Sequence, residues 1–294
     1  MDTSRVSQQS LFDKTFNNLS ASLARYQTLQ QQLSSGKIMS RPSDSPQGIV
    51  SSLRFRGEGA RVQQFAKNID DGMSWLGVAD TTLQSVVAQT QRVRDLVIQG
   101  QNGSLSPGDR NAIADEVDQL RESLLGLGNT QYLGRPIFGG TSASPVAFDN
   151  AGAFVGNTGA VTRSIGFNQT VDVNILGTDV FGDTGTGLFA TLTQISNDLR
   201  SNVTNLPSDL GALDTSLTLI HNAQSTVGAR YNRLQNMQSR NDDLALQIRQ
   251  GLSDIEDVDL PKTIIDLKTQ EIAYQAALAA TSKVITPSLV DFLR

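Results

Sequence analysis

The chain contains no cysteine and a single histidine, His221, among its 294 residues. Without cysteine there is neither a disulfide framework nor a thiolate metal site. One histidine alone does not make a multi-histidine metal centre, and in a helical run it is usually a surface or packing residue. These absences disfavour enzymes and metalloproteins. We therefore expect no catalytic residue, no cofactor and no metal ion.

Aromatic and charged residues are also scarce, at 5 % and 18 %, and the net charge is -5. Few aromatics favour narrow seams of Leu, Ile, Val and Ala between helices over a broad globular core. Lysine and arginine form no cluster of the kind that nucleic-acid binding needs. No run of 18 apolar residues spans a membrane, and the N-terminus lacks the pattern of a cleavable secretory signal. We expect neither a nucleic-acid nor a membrane partner.

Apolar residues at coiled-coil spacing are what the sequence does contain, near both of its ends. In 11–36 they alternate at intervals of three and four residues, with Gln30 as the polar interruption. The same alternation returns in 264–285, interrupted at Glu271. This spacing predicts helices that pair through a narrow seam. The predicted interface comprises Phe12, Phe16, Leu19, Leu23, Tyr26, Leu33, Ile264, Leu267, Tyr274, Leu278, Ile285 and, in the final segment, Leu289, Phe292 and Leu293.

The segment between the two seams changes character twice. Ser106, Pro107 and Asp109 form a capping box with proline at the first helical position, which predicts a helix start. From 137 to 187 glycine and threonine become dense, charges almost vanish, and the alternating runs AVTRSIGF and TVDVNIL predict strands. Helical periodicity returns from 188.

The helical segments match in length in mirror order along the chain. Segments 11–33 and 262–285 each span about 35 Å, and 51–99 and 214–258 each span about 70 Å. A mainly α fold is the simplest solution: a helical rod folded back on itself, its terminal seams paired as a coiled coil, with a small β-rich outer domain inserted at the tip. The predicted domains are a terminal coiled-coil domain, a helical rod domain and the outer domain, at 1–40 with 259–294, 41–136 with 188–258, and 137–187. Because two paired helices leave their flanks exposed, we expect neighbouring copies to cover the terminal seams.

Ordered blocks of the sequence resemble the flagellin superfamily. In the N-terminal half they are QQLSSGKIMSRPSDSPQG (31–48), NIDDGMSWLGVADTTL (68–83), RVRDLVIQGQNGSLSPGDR (92–110) and GNTQYLGRPIFGGT (128–141). In the C-terminal half they are VGARYNRLQ (227–235) and IEDVDLPKTIIDLKTQEIAYQAALAATSKVITPSLVDFL (255–293). The resemblance covers the chain except the 140–190 insertion.

Within the superfamily, the details resemble proteins of the hook–filament junction more than flagellins. PSDSP at 42–46 stands where flagellins usually carry a Lys-Asp-Asp-Ala-Ala-Gly-like block, and the ending SLVDFL differs from the usual flagellin ending. The resemblance implies a structural subunit joining the hook to the filament. Its implied partners are other copies in a ring, flagellin, the first hook-associated protein, and an export chaperone on the C-terminal segment. It also implies export through the flagellar type III channel and an extracellular place on the bacterial flagellum.

Charged residues in and after the 37–48 connection are candidate lateral contacts between subunits, although a plain connector is the alternative. They are Arg41, Asp44, Arg54, Arg92 and Arg94. Two other functions stay open, namely a small flagellin that forms the filament itself and a cytosolic coiled-coil adaptor. The adaptor is disfavoured because the insertion is too small and too uncharged for an input or output domain.

Overall fold

The computed structural model describes residues 3–285 and the side chains of residues 10 and 13–282, and its fold is mainly α as the sequence predicted. The helices are α1 (Thr3–Ser35), α2 (Pro46–Gly100), α3 (Pro107–Gly128), α4 (Gly177–Phe181), α5 (Leu188–Ser201), α6 (Leu206–Glu256) and α7 (Leu260–Ile285). The strands are β1 (Gln131–Tyr132), β2 (Arg135–Pro136), β3 (Thr162–Gly166) and β4 (Gln169–Asp172). Among residues 3–285, no helix combines the length and the apolar character needed to cross a membrane.

The chain divides into two compact units. The first unit combines the described residues up to Ala60 with those from Ala245 onward, and the second unit is Arg61–Leu244. Helices α2 and α6 each contribute residues to both units. The finer division into three domains stays a prediction from the sequence.

The core of the second unit combines leucine and valine seams with one aromatic cluster. Leu76 and Leu83 of α2 are buried with Leu213 of α6, and α3 packs against α5. Five of the eleven phenylalanines meet beside these helices, with ring centroids 5.1 to 5.5 Å apart. They are Phe138, Phe148, Phe154, Phe181 and Phe189. Although aromatic residues are few, these five are concentrated in one place. Their edge-to-face contacts stabilise the unit beyond what burial of their apolar area contributes.

The predicted start of α3 is confirmed by its hydrogen bonds. The Ser106 hydroxyl accepts from the Asp109 backbone N–H at 3.2 Å, and the Asp109 carboxylate accepts from the Ser106 N–H at 3.2 Å. These bonds satisfy two donors that a helix start leaves without partners. Ile113, Val117 and Leu124 then form the buried stripe of the helix.

The strands form two separate antiparallel hairpins. Strand β3 lies in the first predicted run, and β4 overlaps the start of the second. The two strands pair Thr162 with Asp172, which confirms the prediction of strands here. The β1–β2 hairpin lies before the predicted strand region and was not expected. Its two-residue turn places Leu133 at a φ of 49° and Gly134 at 76°.

A buried carboxyl pair lies where α5 leads into α6. Asp198 and Asp209 are both buried, and the Oδ2 atom of Asp209 has no hydrogen-bond partner among the described residues. Burial, reinforced by the neighbouring Asp198 carboxylate, raises the pKa of Asp209 to about 6. Since folding favours the protonated form, the contribution of Asp209 to stability is full at low pH and is lost as the pH rises through about 6.

Asp209→Asn should therefore stabilise the second unit by about 1–3 kcal/mol at pH 7, and by much less at pH 4. Trp75, the only tryptophan of the chain, is buried in this unit, so its fluorescence in a denaturant titration reports the transition. Glu122→Gln, which neutralises an exposed carboxyl on α3, is the matched control and should shift neither midpoint. An equal gain at both pH values would contradict the shared burial of the two carboxyls.

Candidate assembly interface

Helices α1 and α7 lie side by side in the first unit, as the two terminal seams predicted. The Gln270 side-chain amide donates to the Ser22 hydroxyl at 2.7 Å and to the Ser22 carbonyl at 3.1 Å. The residues that face the partner helix repeat at intervals of four and three. They are Thr15, Leu19, Ser22, Tyr26, Leu29 and Leu33 on α1, and Thr263, Leu267, Gln270, Tyr274, Ala277 and Thr281 on α7.

This seam contains only part of the predicted set of residues. Leu19, Tyr26, Leu33, Leu267 and Tyr274 lie in it and are half-buried. The alternate positions differ by one residue from the prediction. Ser22 lies in the seam where Leu23 was expected, and it bonds to Gln270, which takes the place of the predicted interruption at Glu271. Outside the seam, and exposed, are Phe16, Leu23, Gln30, Ile264 and Leu278. The Phe12 and Ile285 side chains and the residues Leu289, Phe292 and Leu293 lie outside the described part of the chain.

The α1–α7 pair consequently leaves several large apolar side chains uncovered. Ile265 and Ile272 of α7 are 65 % and 67 % exposed, and Phe16 of α1 is 59 % exposed. Six of the exposed apolar side chains on these helices form what we call the terminal apolar surface: Phe16, Leu23, Ile264, Ile265, Ile272 and Leu278. Large uncovered apolar surface typically marks a site of protein–protein contact.

A charged cluster ties the two helix connections of the first unit together. The Ile38 N–H donates to the Glu256 carbonyl at 2.7 Å, and the Val258 N–H donates to the Gly36 carbonyl at 3.0 Å. The Glu256 carboxylate is buried and accepts two hydrogen bonds from the Arg56 guanidinium, at 3.0 and 2.9 Å. We call the group of Lys37, Ser52, Arg56, Glu256 and Asp257 the Glu256 clasp.

The clasp keeps its carboxylates ionised. The Arg56 guanidinium, the Ser52 hydroxyl and the Lys37 ammonium together hold the pKa of Glu256 at about 2. Lys37 also contacts Asp257 at 2.5 Å, and this contact lowers the pKa of the Asp257 carboxyl. Sequence reasoning missed Glu256, although arginines near 54–56 and acids near 254–259 occupy matched positions of two segments predicted to pair.

The five candidate lateral contacts have different roles in the structure. The Asp44 carboxylate accepts from the Ser40 and Arg41 backbone N–H groups at 3.0 and 2.8 Å, which lowers its pKa and orders the connection. In the second unit, Arg92 and Arg94 each form an ion pair within the chain, to Glu116 at 2.7 Å and to Asp214 at 2.8 Å. The Arg41 side chain is exposed. Arg54 is also exposed, and no carboxylate within residues 3–285 forms an ion pair with it.

No group of three or more histidine, aspartate or glutamate side chains suited to a metal ion occurs within the described ranges. The terminal apolar surface offers apolar side chains that a partner could bury, and the Glu256 clasp holds the connections of the helices that present them.

Two known sequence families match the two halves of the chain. Residues 6–143 match the bacterial flagellin N-terminal helical region, and residues 210–293 match the bacterial flagellin C-terminal helical region. Together these matches cover well over half of the sequence. The chain belongs to the bacterial flagellin family. It is a structural protein of the bacterial flagellum, as the resemblance implied.

The individual relatives include a hook-associated protein and a flagellin. The flagellar hook-associated protein 3 of Escherichia coli (strain K12) is 25 % identical, over 94 % of this chain and 95 % of that protein. The flagellin of Bacillus subtilis (strain 168) is 27 % identical, over 90 % of this chain and 91 % of that protein.

Solved structures share the fold. Bacillus cereus FlgL superposes with a TM-score of 0.61 at 24 % identity, over 68 % of this chain and 99 % of that one. The flagellar hook associated protein-3 of Legionella pneumophila superposes with a TM-score of 0.63 at 19 % identity, over 69 % and 98 %. These neighbours support the mainly helical architecture with small antiparallel sheets.

Proposed function

We propose that this flagellin-family chain is the subunit of the hook–filament junction, forming a ring of copies between the first hook-associated protein and the flagellin filament. The terminal apolar surface carries the proposal, because packing among the described residues leaves these side chains exposed. The place at the junction is supported by the near full-length match to flagellar hook-associated protein 3 of E. coli.

The physical basis of assembly is burial of the terminal apolar surface against neighbouring subunits. Covering an isoleucine that is about two-thirds exposed contributes on the order of 1–2 kcal/mol. The same contribution recurs for several side chains in every subunit. The seam residues and the Glu256 clasp hold α1 and α7 in place, so the surface is presented with little loss of conformational freedom on binding. Phe12, Ile285, Leu289, Phe292 and Leu293 remain proposed members of this surface.

Before assembly, the same apolar residues favour aggregation. A cytosolic export chaperone that covers the C-terminal segment would prevent this and keep the subunit competent for the flagellar type III channel. The subunit then functions outside the cell, on the flagellum.

A small flagellin is the second candidate, supported by the match to B. subtilis flagellin over 90 % of the chain. The behaviour of the purified chain in solution distinguishes the two functions. The purified chain should stay in small assemblies if it forms a junction, whereas long filaments growing without other proteins would favour the flagellin function.

Deleting the gene in its own organism tests the junction directly. We expect cells that carry hooks without filaments and release monomeric flagellin into the medium, since the filament has nothing to attach to. Electron microscopy and quantification of flagellin in the culture supernatant measure both effects, and the full chain supplied in trans is the control. Filaments still attached in the deletion strain would rule out the proposed function.

A further inference from the structure

A stripe of apolar and small residues runs along the first turns of α2. Val50, Leu53, Gly57 and Ala60 recur at intervals of three, four and three, and all four are exposed. Val50 and Leu53 are 62 % and 63 % exposed. We call these four residues the α2 stripe. Their spacing is that of a helix–helix seam.

The α2 stripe faces away from the helix that α2 contacts in the first unit. On the opposite face of α2, Ser52 bonds to Glu256, Phe55 packs over Gly251, and Gly59 lies against Ile248. Ser52, Phe55 and Gly59 are three and four residues apart, so they share one face of α2. The α2 stripe has the same spacing but lies on the other face. The α6 contact therefore cannot account for the stripe.

Gly57 points to a close approach from outside the chain. A Cβ at this position would meet nothing within 4 Å, so no packing inside the subunit requires glycine. Glycine inside a helix lowers stability by roughly 0.5–1 kcal/mol relative to alanine. Small residues at Gly57 and Ala60 leave room for another helix beside Val50 and Leu53.

The positive charge of Arg54, beside the α2 stripe, indicates what kind of partner fits. Arg54 is exposed, follows Leu53 directly and has no ion pair among the residues described. A fitting partner helix combines an exposed apolar side chain with acidic neighbours. This chain carries such a face on α6, where Leu246 is exposed and Asp242 and Asp243 lie four and three residues before it. Neither aspartate forms an ion pair within 3–285.

We propose that the α2 stripe of one copy packs against Leu246 on α6 of the next copy, with Arg54 paired to Asp242 and Asp243. The two surfaces differ, so the contact is heterologous and repeats from subunit to subunit, as a ring or a helical array requires. The inference rests on the proposed function, because it names the surface through which copies of the subunit meet.

Charge reversal tests the pairing in the deletion strain. Arg54→Glu alone, or Asp242→Arg with Asp243→Arg, should each reduce attached filaments about tenfold or more, because like charges then face each other across the contact. Combining the three substitutions restores opposite charges and should recover most of the attachment. Lys67→Glu makes the same charge change at an exposed position further along α2 and should behave as the wild type. Wild-type attachment by the single-side variants, or a combined variant no better than either, would overturn the proposal.

Because the chain contains no cysteine, introduced cysteines can test the contact by disulfide formation without interference from native thiols. A chain carrying Leu53→Cys and Leu246→Cys should form disulfides between copies in isolated flagella, seen as a ladder on a non-reducing gel. Leu53→Cys with Ile98→Cys, another exposed apolar position, is the control and should stay monomeric on the gel. No ladder from the first pair would count against the contact. Failure of the proposed function would be recognised separately, by filaments that persist when the gene is deleted.

Discussion

Replacing Ile265 and Ile272 by aspartate should abolish filament attachment while leaving the subunit folded. Both side chains are about two-thirds exposed on α7, so the change should alter the free energy of unfolding by no more than about 0.5 kcal/mol. In the assembled junction the same carboxylates would be buried without partners, which costs several kcal/mol each. Counting attached filaments in the deletion strain, and measuring released flagellin, gives the result.

The control is Gln275→Asp with Ala279→Asp, which introduces the same two negative charges at exposed positions of α7. It should attach filaments normally. Circular dichroism melting curves of the purified variants separate loss of folding from loss of assembly. Wild-type attachment by the double isoleucine variant would refute the role assigned to the terminal apolar surface.

Replacing Glu256 by alanine should loosen the first unit selectively. The substitution removes the acceptor that Ser52, Arg56 and Lys37 share, and we expect a loss of about 1–3 kcal/mol in the local free energy of opening. Hydrogen exchange at the Ile38 and Val258 amides, which bridge the two connections, should accelerate accordingly. Fluorescence from Trp75 in the second unit should show an unchanged transition.

The effect of this substitution should also depend on pH in a defined direction. The pKa of Glu256 is about 2 in the folded chain and 4.5 as its ordinary value, so folding favours the carboxylate. Its contribution is therefore full above about pH 4.5 and is lost as the pH falls towards 2. The difference in exchange between wild type and Glu256→Ala should stay constant from pH 5 to 8 and shrink in acid. Asp254→Ala, an exposed acid on the same helix, serves as the control, and a difference that grew in acid would contradict the ionised clasp.

Features set by neighbouring residues were predictable from the sequence. The capping box at Ser106 depends on spacing alone, and strands β3 and β4 depend on local alternation. The pairing of α1 with α7 followed from two seams of equal length. In each case the structure is determined by residues close together in the sequence, or by a spacing that repeats along it.

Features set by contacts between distant residues were not predictable in the same way. The α1–α7 seam includes Ser22 because Gln270 bonds to it, a choice that no apolar pattern reveals. Glu256 is one of several acids in 254–259, and only its contact with Arg56 in the structure distinguishes it from the others. The β1–β2 hairpin was not predicted, because its turn places Leu133 at a positive φ, where Asn or Gly is usual.

The Glu256 clasp has a consequence for the order in which the subunit folds. Lys37 and Asp257 are separated by 220 residues, so closing this contact directly from an unfolded chain carries a large entropy penalty. Within the second unit, Asn241 already bonds to the Val62 carbonyl at 3.0 Å and joins α6 to α2. Once that contact exists, only the segments from Lys37 to Val62 and from Asn241 to Asp257 lie between the two contacts. The second unit should therefore fold first, and the pairing of α1 with α7 should complete last.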